Sequence, residues 1–365
     1  MSDWKEVQLA DVLEVKYGKD HKGLNSGQIP CLGSGGIMRY VDNYLYNDES
    51  ILIPRKGSLN NIMYQNNPFW TVDTMFWTKI ERSKVIPKFL YYQLTLIDYT
   101  NLNVGSAVPS LTVPVINAIE INLPPLPEQK AIAETLSSLD DKIDLLHRQN
   151  NTLEQMAETL FRQWFVEEAK EDWEETILYD AIELIGGGTP KTSMDEYWNG
   201  DVKWLSGGDI ASNHKSVVTD SEKSITNEGL NNSSAKLLPK LCTVISARGT
   251  VGKYCILSEP MAFSQSNYGI KPKFEDCYFF TYLLINHSVE ELQSAAYGSV
   301  FDTITTETFK GYSIKLPSER IIKAFELDIA PYFNKIMNNQ FQIRTLEKLR
   351  NTLLPKLMSG EITVQ

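Results

Sequence analysis

Two short turns hold the residues best suited to chemistry. "PRKGSL" (54–59) and "ARGTVGK" (247–253) each place a basic residue beside glycine and a hydroxyl. That combination suits a phosphate: glycine allows close approach, and Ser, Thr, Lys and Arg supply donors and charge. In the first turn the candidates are Lys56 and Ser58. In the second they are Arg248, Thr250 and Lys253. Ser34 and Arg39 near "GSGG" (33–36), with Thr189 and Lys191 of "GGTPKT" (187–192), extend the set. Arg248 aligns with Lys56, so the two share one expected role as phosphate anchors. An ordinary exposed turn accounts for any one of these residues equally well.

Other chemistries lack their residues. "GTVGKY" (249–254) is short of the GxxxxGK[ST] phosphate loop and has Tyr254 where Ser or Thr belongs. The "GGG" at 186–188 does not follow GxGxxG spacing, and no NPPY or DPPY run offers an amino-methyltransferase pocket. The four cysteines (Cys31, Cys242, Cys255, Cys277) and four histidines (His21, His147, His214, His287) are scattered without ligand spacing. No catalytic residue, metal ligand or cofactor is expected. Dispersed thiols fit buried cysteines in a reducing cytosol. With no secretory pattern at the N-terminus and no apolar run of about 18 residues, the chain is expected to be cytoplasmic, with no membrane contact.

The elements that position these turns follow from the bulk pattern. At 365 residues the chain is long enough for two or three domains. Its net charge is −11, which by itself argues against a nucleic-acid binder. The charge is uneven, however. Residues 1–125 carry 11 basic and 12 acidic side chains, 171–317 carry 12 and 20, and 318–365 carry 7 and 5. A locally basic face can coexist with acidic backs and helices.

The chain also repeats itself. "GSAVPSLT" (105–112) lies over "GSVFDTIT" (298–305) at an offset of 193, and the same register matches Leu123-Pro124 to Leu316-Pro317 and Thr152-Leu153-Glu154 to Thr345-Leu346-Glu347. Earlier parts match more loosely: Trp4 with Trp173 at 169, and "ILIPRKGSL" (51–59) with "TVISARGTV" (243–251) at 192. The drifting offset means insertions in the second copy.

Each copy ends in a heptad run. Ile132, Leu136, Leu139, Ile143, Leu146, Asn150, Leu153, Ala157, Leu160 and Trp164 step by four and three. The offset places Phe325, Ile329, Tyr332, Ile336, Asn339, Ile343, Leu346, Arg350, Leu353 and Leu357 on the second seam. A helix over about 127–168 is expected, roughly 60 Å long at 1.5 Å per residue. Pro331 predicts a kink or break near 328–331 in the second. Two such seams are best satisfied by pairing antiparallel about a pseudo-two-fold axis, which opposes Asn150 to Asn339.

The motifs together resemble a known family. "LPPLPEQKAIAETLSSLDDKID" (123–144) and "FRQWF" (161–165) are similar to the central repeat of type I restriction–modification specificity subunits. "LRNTLLPKLMSGEI" (349–362) resembles their C-terminal end. "GGGTPKTSMDEYWNGDVKWLSGGDI" (186–210), "IPCLGSGGI" (29–37), "PRKGSL" (54–59) and "NNPFWTVDTMF" (66–76) resemble versions of their target recognition domains. "LPSERIIKAF" (316–325) departs from the family's LPP…EQ.

The resemblance implies an α+β fold of two tandem target recognition domains, 1–125 and 171–317. Two long helices, 126–170 and 318–365 with its tail, would separate them as an antiparallel coiled coil. It implies a non-catalytic reader of a two-part double-stranded DNA target. Two methyltransferase (M) subunits would methylate an adenine in each half-site, and restriction/translocase (R) subunits would cleave. Half-sites about one helical turn, roughly 10 bp, apart centre to centre are expected. The competing reading is a coiled-coil scaffold with no DNA role; a third is an enzyme whose site lacks a motif.

Overall fold

The computed structural model describes residues 4–297 and 302–364. The chain divides into two compact units, Met1–Ile143 with Leu346–Gln365, and Asp144–Thr345. Among the described residues no helix is long and apolar enough to cross a membrane.

The first unit contains β1 (Lys5–Gln8), β2 (Leu13–Tyr17), β3 (Ser26–Gly33), β4 (Gly36–Val41), β5 (Ser50–Pro54), β6 (Met63–Gln65), β7 (Trp70–Thr71) and β8 (Met75–Ile80). Helices α1 (Pro87–Thr95) and α2 (Val113–Asn117), strand β9 (Glu120–Leu123) and the start of α3 (Leu126–Arg162) follow. One sheet has the order β2-β8-β5-β6, another β4-β3-β7, and β1 pairs antiparallel with β9. Central strand β5 (Ser-Ile-Leu-Ile-Pro) is buried throughout, as a run of branched apolar residues demands. "FLYYQL" (89–94) lies in α1, and its Phe89, Leu90, Tyr92 and Leu94 enter the core.

The second unit holds β10 (Glu174–Ile177), α4 (Leu178–Ala181), β11 (Ile182–Gly186), β12 (Trp198–Leu205), α5 (Gly207–Ser212), β13 (Val217–Val218), β14 (Lys223–Ile225), α6 (Asn227–Asn231) and β15 (Leu237–Leu238). It continues with β16 (Thr243–Ser246), β17 (Tyr254–Leu257), β18 (Met261–Phe263), β19 (Asn267–Pro272), α7 (Tyr278–Tyr297), α8 (Thr306–Lys310), β20 (Ser313–Leu316) and α9 (Glu319–Met358). The main sheet runs β11-β19-β16-β17-β13, and β10 pairs with β20.

The two units share one hydrogen-bonding plan. Leu9 N donates to Ile119 O and Leu178 N to Tyr312 O, both at 2.8 Å. Leu111 N donates to Arg55 O at 2.9 Å, and Ile304 N to Ala247 O at 3.1 Å. These partners are the residues that offsets of 169, 192 and 193 align. The repeat is therefore structural, although residues 298–301 of "GSVFDTIT" lie outside the described residues. The insertions expected in the second copy include α5, α6 and β15.

Long-helix segments contribute to both cores. In the first unit Ile132, Ala133 and Leu136 share a cluster with Leu357 and Met358, and Arg350 Nη1 meets Asp140 Oδ1 at 2.9 Å. In the second unit Phe161 and Phe165 pack on Phe325, with ring centroids 5.9 and 4.8 Å apart. There Asn339 Nδ2 donates to Asn150 Oδ1 at 2.8 Å, the opposition that the repeat register predicts. Of the other seam residues, Leu146, Ile336 and Ile343 are buried, and Leu139, Leu153 and Leu346 are half-buried.

The first helix has the expected extent: α3 runs to Arg162 and continues as a widened π-turn over Gln163–Glu167. Of the kink or break expected near 328–331, the break does not occur: α9 is continuous from Glu319 to Met358. Proline frees the carbonyl four residues earlier, here that of Leu327. Leu327 is 75% exposed, so solvent can satisfy that carbonyl, while buried Ile329 and Phe333 anchor the helix on either side.

The asparagine pair yields a measurable coupling. Asn150→Leu or Asn339→Leu alone leaves a buried amide without its partner, costing about 1–3 kcal/mol. The double change to leucine is expected to recover most of that loss, since an apolar pair needs no partner. Urea unfolding of the four species measures it; additive losses would disprove the coupling.

Candidate nucleic-acid interface

Most of the candidate residues occupy turns that follow the C-terminal ends of strands, while Arg39 lies within β4. In the first unit β2 leads into Gly18, whose N–H donates to Met75 O at 3.0 Å; Lys19 N then donates to Thr71 O at 2.9 Å. The turn after β5 is pinned by Lys56 N to Thr74 O (3.2 Å) and Gly57 N to Pro109 O (3.2 Å). Asn61 Nδ2 donates to Ser34 O at 2.8 Å and ties that turn to the β3–β4 hairpin. Gly57 has φ of +91°, a left-handed conformation that glycine adopts without strain.

The second unit repeats this plan. Gly187 N donates to Asn267 O (3.2 Å), Gly188 N to Phe263 O (3.0 Å) and Ala247 N to Ser266 O (2.9 Å). Gly249 has φ of +75° at the position equivalent to Gly57. Thr250 Oγ1 donates to Gly207 O at 3.2 Å, which ties the same two turns with a different residue.

The structure brings Ser34, Lys56 and Ser58 together through these bonds, and likewise Arg248 and Thr250. Lys56, Ser58, Lys191 and Arg248 are exposed, while Ser34, Thr189 and Lys253 are half-buried. Thr189 and Lys191 follow β11 on a loop held by Trp204 Nε1 to Gly188 O (2.9 Å) and Trp198 Nε1 to Lys191 O (3.2 Å). Two candidates serve the fold directly. The Arg39 guanidinium turns inward, donating to His21 O (2.5 Å) and Leu24 O (2.9 Å). The Thr250 hydroxyl is shared between Gly207 O and Ser246 Oγ (2.9 Å).

Electrostatics favour an anion here. Among the described residues, Lys19, Lys22, Lys56, Lys191, Arg248 and Lys253 take part in no ion pair, whereas many other basic side chains do. Sequence reasoning did not pick out the segment 71–75 and its equivalent 263–267, whose carbonyls pin the other turns. It also missed His21, Lys22 and Met38, which line a cleft of about 640 Å³ with Ser34 and Thr74. No local motif marks His21, Lys22 and Met38; strand pairing gathers them. Among the described residues no cluster of side chains could hold a metal ion. Burial raises the thiol pKa of all four cysteines, to about 12 at Cys242 and Cys277, so none is primed as a nucleophile.

Comparison with known proteins agrees with this layout. Residues 1–155 and 170–348 match the family described as type I restriction modification DNA specificity domain. The MjaIX type I restriction enzyme specificity subunit of Methanocaldococcus jannaschii is 24% identical, across 100% of this chain and 94% of that protein. The HindI specificity subunit of Haemophilus influenzae is also 24% identical, over 99% of this chain and 100% of its own length. A crystal structure of a type I restriction–modification S subunit from M. genitalium superposes with a TM-score of 0.68 at 15% identity, covering 98% of this chain and 96% of that one, which establishes the fold.

Proposed function

We propose that this chain, which belongs to the type I restriction modification DNA specificity family, reads a two-part DNA sequence for a methylating and cleaving complex. Each α/β body, 1–125 and 171–317, reads one half of the target. The helices 126–170 and 318–365 act as an antiparallel coiled-coil spacer that also receives two methyltransferase subunits, with restriction/translocase subunits added for cleavage. The chain itself performs no chemistry and acts in the cytoplasm. The observation that carries this reading is the doubled set of turns. One hydrogen-bonding plan twice presents unpaired cations beside left-handed glycines, Lys56 with Gly57 and Arg248 with Gly249.

Mapping methylated adenines in the source genome tests it. A split motif with one methylated adenine in each half is expected. A continuous motif would overturn the two-body account, and binding to no duplex would favour the coiled-coil scaffold. The acidic balance adds that the isolated chain binds DNA weakly until methyltransferase subunits complete the clamp; tight, salt-resistant binding alone would contradict this.

The anchors have their own signature. Lys56→Ala and Arg248→Ala in the assembled complex are each expected to weaken binding uniformly across sequences and to reduce the salt slope by about 1. A change in sequence preference instead would reassign the residue to base reading.

A further inference from the structure

The β3–β4 hairpin of the first unit exposes an apolar pair that its own core does not need. Ile37 is 56% exposed and Met38 57%. The strand pairing explains how both reach solvent. Cys31 faces Arg39 and Leu32 faces Ile37, so Met38 has no partner across the hairpin. That is a β-bulge, a device that re-aims side chains and recurs next to binding sites. β4 is also the edge of its sheet, where apolar exposure is normally avoided.

The surroundings identify the occupant. Met38 lies against Gly33, where an added Cβ would come within 2.7 Å of its sulfur. It lines the 640 Å³ cleft together with Lys22 and Ser34 and with two carboxylates, Asp20 and Asp73. The hairpin turn is bonded through Ser34 O to Asn61, on the turn that carries Lys56. Lys22 and Lys56 are exposed and unpaired, so a polyanion brought to these turns meets the apolar pair.

Resting on the DNA-reading function above, we propose that Ile37 and Met38 read a thymine 5-methyl group in the half-site of the first unit. Duplex DNA offers sequence-dependent apolar surface in two places, groove-facing thymine methyls and base faces; the deoxyribose carbons are the same in every sequence. Reaching a base face requires unstacking at a few kcal/mol, whereas the methyl stands free in the major groove. The methyl is the lower-cost contact. The equivalent position in the second unit has no such hairpin: β12 runs into α5, closed by a Ser206–Asp209 capping box. Thymine-methyl reading by this device therefore belongs to one half-site only.

The test uses the full chain assembled with its methyltransferase subunits and the duplex identified by methylation mapping. Each thymine is replaced in turn by deoxyuridine, which lacks only the methyl. The parent is expected to lose about four-fold in affinity at one thymine of one half-site, the value of one buried methyl. The Ile37→Ala/Met38→Ala variant, altered only at exposed positions and checked by thermal melting, is expected to lose that sensitivity and keep its salt slope. Indifference of the parent to every replacement, or sensitivity retained in the variant, would overturn the assignment. A 2-aminopurine fluorescence rise that depends on Ile37 and Met38 would overturn it in favour of insertion between bases. Absence of any sequence preference in the parent is a separate result, and it would sink the DNA-reading function itself.

Discussion

Gly18→Ala is expected to destabilise the first unit by about 3 kcal/mol or more, and Gly187→Ala to do the same to the second. A Cβ on Gly18 would stand 1.9 Å from Val72 O, and one on Gly187 2.2 Å from Ser264 O. Neither glycine is in a left-handed conformation, so the requirement is space rather than φ. The atom in the way is backbone, held by Val72 N to Leu32 O (3.0 Å) and by Ser264 N to Leu205 O (2.9 Å), and it cannot swing aside. Overpacking of this kind typically costs about 1–3 kcal/mol and exceeds that where nothing yields. Each change would also displace the loops that precede Lys22 and Lys191. Melting of each variant measures the loss. If the chain reads a two-part DNA target as proposed, each change is expected to abolish discrimination at one half-site in the assembled complex. Parent-like melting and recognition would show that the backbone relaxes freely.

A second large effect is pH-dependent. Glu154, on α3 in the second unit, lines a cleft of about 460 Å³ with His147, Glu158, His214 and Lys215. Burial pushes its carboxyl up to about 8, and the neighbouring Glu158 charge adds to the shift while Lys215 opposes it. The folded unit therefore keeps a proton that the unfolded chain releases near the ordinary carboxylate pKa. Stability from this source is complete below about pH 4 and is lost progressively as pH rises towards 8. Each pKa unit corresponds to about 1.4 kcal/mol, and partial exposure of Glu154 reduces the total to about 3 kcal/mol. Glu154→Gln keeps the shape and removes the titration. The variant is expected to match the parent near pH 4.5 and to exceed it by about 3 kcal/mol at pH 8, measured by urea unfolding across pH. Glu326, raised to about 7 by burial although the Phe279 and Phe280 amides donate to it, contributes a slope of the same sign. A variant whose pH profile parallels the parent's would show that Glu154 is ionised throughout.

Local patterns were enough for much of the architecture. The heptad spacing located both long helices, and the offsets of 169, 192 and 193 located the equivalent strands and turns, because periodicity and repetition are carried by residue type alone. The pairing of Asn150 with Asn339 followed from the same register. Lys56 and Arg248 were legible as equivalents for that reason too. The effect of Pro331 was not legible: whether proline breaks a helix depends on where the freed carbonyl points, and Leu327 faces solvent. Nor was the inward turn of Arg39, since a guanidinium goes wherever unpaired carbonyls lie, and those of His21 and Leu24 arrive from a different loop. The cleft at His21, Lys22 and Met38 depends on a bulge between Cys31 and Leu32 that has no signature in residue type. Sequence alone therefore determined the repeat and the helices, whose signals are local and periodic, while the expected class of ligand came from the family resemblance of its motifs. Which side chains stand together on these turns was decided only by tertiary structure, because strand pairing and loop contacts join residues that lie far apart along the chain.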